Sequence, residues 1–230
     1  MLMLAAIVGG AVILAVPTAL KTRFGVDEVV TTLLLNFVVI LFVSMLLDNW
    51  LKDPMALGWP QSKKIIAEAA LPKLVAGKRL HMGFIVAIAA AMFIWIMQRN
   101  SALGYEIRAV GNNAKAALFA GLPVNRVLAK TALLSGGLAG LAGWSEVTGL
   151  KGSLTLDLSP GFGYTGIVVA MLAMLHPLGV VAAAIFVAAV FVGADAMSRS
   201  AGVPSAIAQV MVAVSLLSMV TAIMLTRYRI

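Results

Sequence analysis

Long apolar blocks broken by polar joints set the pattern of this chain. Seven apolar segments stand out: Leu2–Leu20, Val29–Leu47, Met82–Met97, Lys130–Val147, Tyr164–Leu175, Leu178–Ala196 and Ser205–Leu225. A bilayer's hydrocarbon core takes about 20 helical residues, so blocks of this length read as membrane-crossing helices. The pattern predicts an all-α, polytopic membrane protein of about seven spans. The fifth segment is short for a span. It is expected to be tilted, partly re-entrant, or joined to its neighbour around His176–Gly179, where Pro177 favours a turn. Leu2–Leu20 has no positively charged stretch ahead of it; Lys21 and Arg23 follow it instead. That order and its length read as a span whose C-terminal end faces the cytoplasm, not as a signal peptide.

Two polar connections are long, Asp48–Leu80 and Gln98–Ala129, and one span separates them, so they lie on opposite faces. The first carries Trp50 and Trp59, which suit a membrane interface, and Pro54, Pro60 and Pro72, which break any long helix. It reads as an exposed, weakly structured loop; the sharper alternative is a dock for an external partner. The second is a polar island, "GYEIRAVGNNAKAALFAGLPVNRV" (Gly104–Val127). Within it Asn112 or Asn113 is placed to cap a helix. Ala114, Ala117, Leu118 and Gly121 follow at i, i+3, i+4 and i+7 as one small apolar face, Gly121 suits the helix end, and Pro123 stops it. A helix of about two turns is marginal alone in water, so it packs on something: its own spans or a partner's groove.

Composition agrees with the pattern: 62% of the 230 residues are hydrophobic and 11% charged, against about 25% charged in soluble domains. The absence of cysteine excludes disulfides, thiolate metal sites and thiol nucleophiles. The net charge of +8 sits mainly in loops, where it sets topology and meets anionic headgroups; no nucleic-acid module accompanies it. Both long connections carry a net +3, so the positive-inside rule does not separate them. Lys21 and Arg23 lie two spans from the Gln98–Ala129 loop, hence on its side, and the C-terminal "RYRI" falls there too if all seven segments cross. Residues 98–129 are therefore placed in the cytoplasm.

Enzymatic signatures are not found. "GFGYTG" (Gly161–Gly166) fits a glycine-rich nucleotide fingerprint, but a membrane span follows where a strand–helix unit and a distant acidic residue are needed. It reads as a glycine-rich turn opening a helix. There is no P-loop. His81 and His176 lack a carboxylate or second histidine at ligand spacing, so neither a metal nor another cofactor is expected. "SGGLAGLAGWSE" places Gly136, Gly140 and Gly143 four and three residues apart, a face on which another backbone can approach closely. Glu28, Glu146 and Asp195 fall near span ends, and Asn36 is the most central polar group; it is either an inter-helix hydrogen bond or part of a substrate path.

"GYEIRAVGNNAKAALFAGLPVNRV", "LSGGLAGLAGWSEVTG" and "GFGYTGIVVAMLAMLHPLGVV", with "GVDEVVTTLLLNFVVILFVSMLL" and "PKLVAGKRLHMGFIVA", resemble the permease subunit of ABC importers. The resemblance covers nearly the whole chain and is strongest to the simple sugar and nucleoside group, related to the branched-chain amino acid permeases. It implies a fold like the C-terminal part of a type II ABC importer permease, with residues 1–230 as one transmembrane domain lacking N-terminal spans. It implies that the island is a coupling helix docking on a cytoplasmic ATP-binding subunit, through Arg108, Gly111, Asn112, Asn113, Lys115, Ala117, Leu118 and Gly121. ATP hydrolysis then belongs to that partner. A second permease subunit, an extracytoplasmic substrate-binding protein and the inner membrane of a bacterium or archaeon complete the expectation. Thr32, Asn36, Trp144 and Glu146 are the expected substrate-path residues. Two alternatives remain: an ion-coupled secondary transporter, using Glu146, Asp195 and Asn36, and a truncated, non-transporting assembly subunit.

Overall fold

The computed structural model describes residues 1–55, 58–75, 77, 79–159 and 161–201, with isolated positions between 206 and 225. The segment Ser205–Leu225 and the terminal "RYRI" fall wholly or largely outside the described residues. Among those described there are eight α-helices and no β-strand, only isolated bridges. The helices are α1 (Leu2–Phe24), α2 (Glu28–Asp48), α3 (Gly83–Asn100), α4 (Ala102–Asn112), α5 (Ala114–Phe119), α6 (Val124–Glu146), α7 (Phe162–Leu172) and α8 (Pro177–Ala201). Helices α1, α2, α3 and α8 are long and apolar enough to cross a membrane, as is the stretch Val124–Lys151 that contains α6. Most of their large side chains are exposed, as lipid-facing side chains are; unsatisfied backbone groups are avoided because every span is helical.

The chain divides into two compact units, Met1–Ala90 with Ile96–Leu158, and Ala91–Trp95 with Ser159–Ile230. In the first, α1 and α6 run antiparallel and form the dominant contact. Their backbones nearly touch. A Cβ on Gly10 would lie 2.2 Å from the Gly136 carbonyl oxygen, and one on Gly140 only 2.0 Å from that of Ala6. Gly136 and Gly140 thus form the close-approach face expected of them. Gly143 meets nothing within 4 Å and takes no part in it. Lipid offers no hydrophobic drive to pair helices, so such close packing is what holds them.

A three-residue joint links α1 to α2. Gly25 takes the left-handed conformation (φ +68°) that closes α1, and the Asp27 carboxylate accepts from the Val29 N–H at 2.7 Å to cap α2. Lys21 forms an ion pair with Glu28 across this joint.

The connection 49–82 is not the weakly structured loop expected. It is tied to the segment after α6: Ser62 N–H donates to the Leu154 carbonyl (2.9 Å), Ile65 N–H to that of Gly152 (2.9 Å) and Leu71 N–H to that of Thr148 (2.9 Å), while the Ser62 hydroxyl accepts from Leu154 N–H (2.8 Å). These partners lie some 80–90 residues away in sequence, which hides the order from a local reading. Helix α6 reaches them through a π-type turn, Val147–Lys151. His81 fills space left by two glycines: a Cβ on Gly149 would lie 2.4 Å from its ring and one on Gly83 2.6 Å. Its Nδ1 accepts from the Gly83 N–H at 3.1 Å.

The second unit contains a helical hairpin. Gly161 (φ +81°) opens α7, as the glycine-rich turn predicts. With 11 residues α7 rises only about 16 Å, short of the roughly 30 Å hydrocarbon core. Val169 packs with Ala183 and Val187 of α8. The turn between them uses Met174 and Leu175 in the left-handed region, and Pro177 is not its centre but the first residue of α8. A proline there loses no helical hydrogen bond.

Candidate coupling helix and transmembrane cavities

The polar island folds as two helices, not one. Ser101 makes the corner: its hydroxyl donates to the Met97 carbonyl at 2.6 Å, closing α3, and accepts from the Gly104 N–H at 3.0 Å, opening α4. Gly104 is required at this corner, since a Cβ would meet the Gln98 carbonyl oxygen at 2.4 Å. The Arg108 guanidinium donates to that same Gln98 carbonyl, satisfying another end group of α3. Expected as a partner contact, Arg108 is engaged internally.

Asn113 separates α4 from α5. Its side-chain oxygen accepts from the Ala116 N–H at 3.0 Å, so Asn113 is the cap and Asn112 the last residue of α4. Gly121 (φ +81°) turns the chain after α5, and Pro123 stands at the start of α6. The short helix survives because it has a core of its own. Ala117 is 4% exposed and packs with Val110 of α4 and Val127 of α6, flanked by Ile107, Leu122 and Val124.

This placement splits the expected apolar face of Ala114, Ala117, Leu118 and Gly121. Ala117 points inward; Ala114, Leu118 and Gly121 are exposed, as are Gly111, Asn112 and Lys115. The physical reason is size: a helix of six residues buries a single position on this small core, and the methyl group of Ala117 fills it. The outward surface is then made by Leu118 at 65% exposure and Phe119 at 95%. A groove of about 490 Å³ runs beside Leu118, with Lys115 and Arg126 on its walls. Phe119 escaped the helical spacing because it lies off the apolar stripe. A large aromatic in an alanine helix, away from its buried face, was the available signal.

The four path residues are not gathered in one place. Trp144 lines a cleft of about 810 Å³ along α1 and α6. Thr32 lines a separate pocket of about 310 Å³ between α1, α2 and α6. Leu14 and Ser135 border both cavities, so the two meet there. Asn36 is exposed on α2, and Glu146 is half-buried at the end of α6. The island and the Lys21–Glu28 pair lie at the same end of the first unit, because α1 and α6 are antiparallel and Lys21 and Leu128 line one pocket.

Spans, small-residue helix packing and a propped polar helix define a multi-pass α-helical membrane protein. The chain belongs to the family described as branched-chain amino acid transport system / permease component, which matches residues 1–226. Among its relatives is the glucose ABC transporter permease protein TsgB13 of Haloferax volcanii, 33% identical over 100% of this chain and 63% of the relative. The guanosine ABC transporter permease protein NupP of Bacillus subtilis is 34% identical over 88% of this chain and 59% of its own length. The nucleoside ABC transporter permease protein NupB of Lactococcus lactis subsp. cremoris is 30% identical, covering 86% and 56%. The chain therefore spans less than two thirds of the length of these relatives. No solved structure matches it significantly.

Proposed function

We propose that the chain is a transmembrane permease subunit of an ATP-driven importer for nucleosides or simple sugars, seated in the plasma membrane of a bacterium or archaeon. The observation that carries this reading is α5: a capped helix held on a private core, with Leu118 and Phe119 turned outward beside Lys115 and Arg126. An apolar knob flanked by cations suits a groove with apolar walls and an acidic rim on a cytoplasmic ATP-binding subunit. That subunit hydrolyses the ATP. A second permease subunit completes the pathway, and an extracytoplasmic binding protein delivers substrate. The substrate class follows the glucose, guanosine and nucleoside named for the relatives.

In this reading force enters at α5 and leaves by two stiff links. Val127 carries it into α6, which lies against α1. Ser101 and Arg108 carry it through α4 into the end of α3. Motion of the ATP-binding subunits then shifts spans, not a loose loop. The test is co-purification of the co-expressed ATP-binding subunit with Leu118→Asp. Loss of the partner with the permease still folded and monodisperse is expected; undiminished co-purification would remove α5 as the dock.

A further inference from the structure

The pocket between α1, α2 and α6 has a chemical character that the coupling helix does not explain. Its volume of about 310 Å³ falls at the lower end of the range for small-molecule sites. Four threonine hydroxyls line it, and each has its proton committed to its own helix. Thr18 donates to the Leu14 carbonyl at 2.7 Å, Thr22 to that of Thr18 at 2.9 Å, Thr32 to that of Glu28 at 2.7 Å and Thr131 to that of Val127 at 2.8 Å. A hydroxyl carries one proton and two lone pairs, so each of these oxygens is left as an acceptor. Ser135 adds a fifth hydroxyl where the pocket opens into the apolar α1–α6 cleft. The charges in the wall, Lys21 and Glu28, are paired with each other.

Resting on the import reading above, we propose that this pocket is a transient substrate site on the Lys21 side of the pathway, selective for a neutral solute rich in O–H or N–H donors. Sugar hydroxyls and the ribose of a nucleoside meet acceptor oxygens from three helices. A solute with net charge, or with separated charges such as a free amino acid, would have to split the Lys21–Glu28 pair to be compensated. The apolar cleft beyond Leu14 and Ser135 offers the neutral, donor-rich solute little to bind, so the pocket holds that solute after passage. Spacing alone could not show this, because the four threonines lie on three helices and converge only once α1 and α6 pack antiparallel.

The experiment uses the complex of permease, ATP-binding subunit and binding protein in liposomes, with uptake of labelled guanosine, D-glucose and leucine. Thr32→Val and Thr131→Val keep side-chain shape and remove the acceptor. Each is expected to raise KM for the transported neutral solute about five-fold, the effect of one neutral hydrogen bond, with a smaller change in maximal rate. Thr32→Ser and Thr131→Ser should restore KM. Thr165→Val, which removes a hydroxyl with the same kind of backbone bond in α7, should keep the wild-type KM. Uptake of guanosine or glucose with unchanged KM in both valine variants overturns the pocket and leaves the import reading standing. ATP-driven uptake of leucine alone overturns the selectivity. No ATP-driven uptake of any of the three overturns the import reading, and the inference with it.

Discussion

Gly136 and Gly140 set how closely α1 and α6 can approach. Because the atoms facing them are backbone carbonyls, they cannot be moved aside as a flexible side chain can. Gly140→Leu is expected to destabilise the α1–α6 pair by about 1–3 kcal/mol, the usual cost of overpacking, or to separate the helices. Gly143→Ala should leave stability unchanged or raise it, since its Cβ meets open space. Thermal unfolding in detergent compares the two. The spacing of Gly136 and Gly140 was readable as a packing face. Gly10 was not, because it occurs in an alanine- and valine-rich run and its partner lies more than 120 residues away. Arg108 shows the same limit from the other side: its exposed position in the island does not reveal the α3 carbonyl to which it donates.

At the scale of elements, the question is which side of α5 is structural. The core of Val110, Ala117 and Val127 leaves no room for a larger group at Ala117. Ala117→Glu should therefore melt the α4–α5 corner, whereas Phe119→Asp should leave it intact. Limited proteolysis between residues 101 and 127 would show early cutting in the first variant and a wild-type pattern in the second. Asn113→Ala should cost about 1 kcal/mol through loss of the cap and increase cutting modestly. The cap, the glycine turn and the existence of a helix were legible from local chemistry. Helix α4 was not: its capping serine also closes α3, and its start falls in a polar run that reads as a loop. The order in 49–82 was equally hidden, since its hydrogen-bond partners come from the far end of α6.

For the whole molecule, the apolar blocks made the membrane-spanning class readable, and the relatives place the chain in a permease family. Sidedness in the first unit follows from connectivity: the joint after α1, the α4–α5 island and the start of α6 share one end, and 49–82 shares the other with residues 148–155. These 230 residues contain no cysteine, so a single introduced cysteine is their one thiol. Phe119→Cys is expected to react with an impermeant maleimide only in inside-out vesicles, and Trp50→Cys only in right-side-out vesicles. Labelling of both from one side would contradict this topology.

The central claim is that an ATP-binding partner drives transport through the outward face of α5. Its most direct test is uptake of guanosine and D-glucose into liposomes containing the full complex, with wild-type permease and with Phe119→Asp. The account predicts uptake that requires ATP, survives collapse of ion gradients, and falls at least ten-fold, by roughly 1.4 kcal/mol of coupling or more, in the folded variant. Uptake that continues without ATP and collapses with an ion gradient, or that is unchanged by Phe119→Asp, would contradict it.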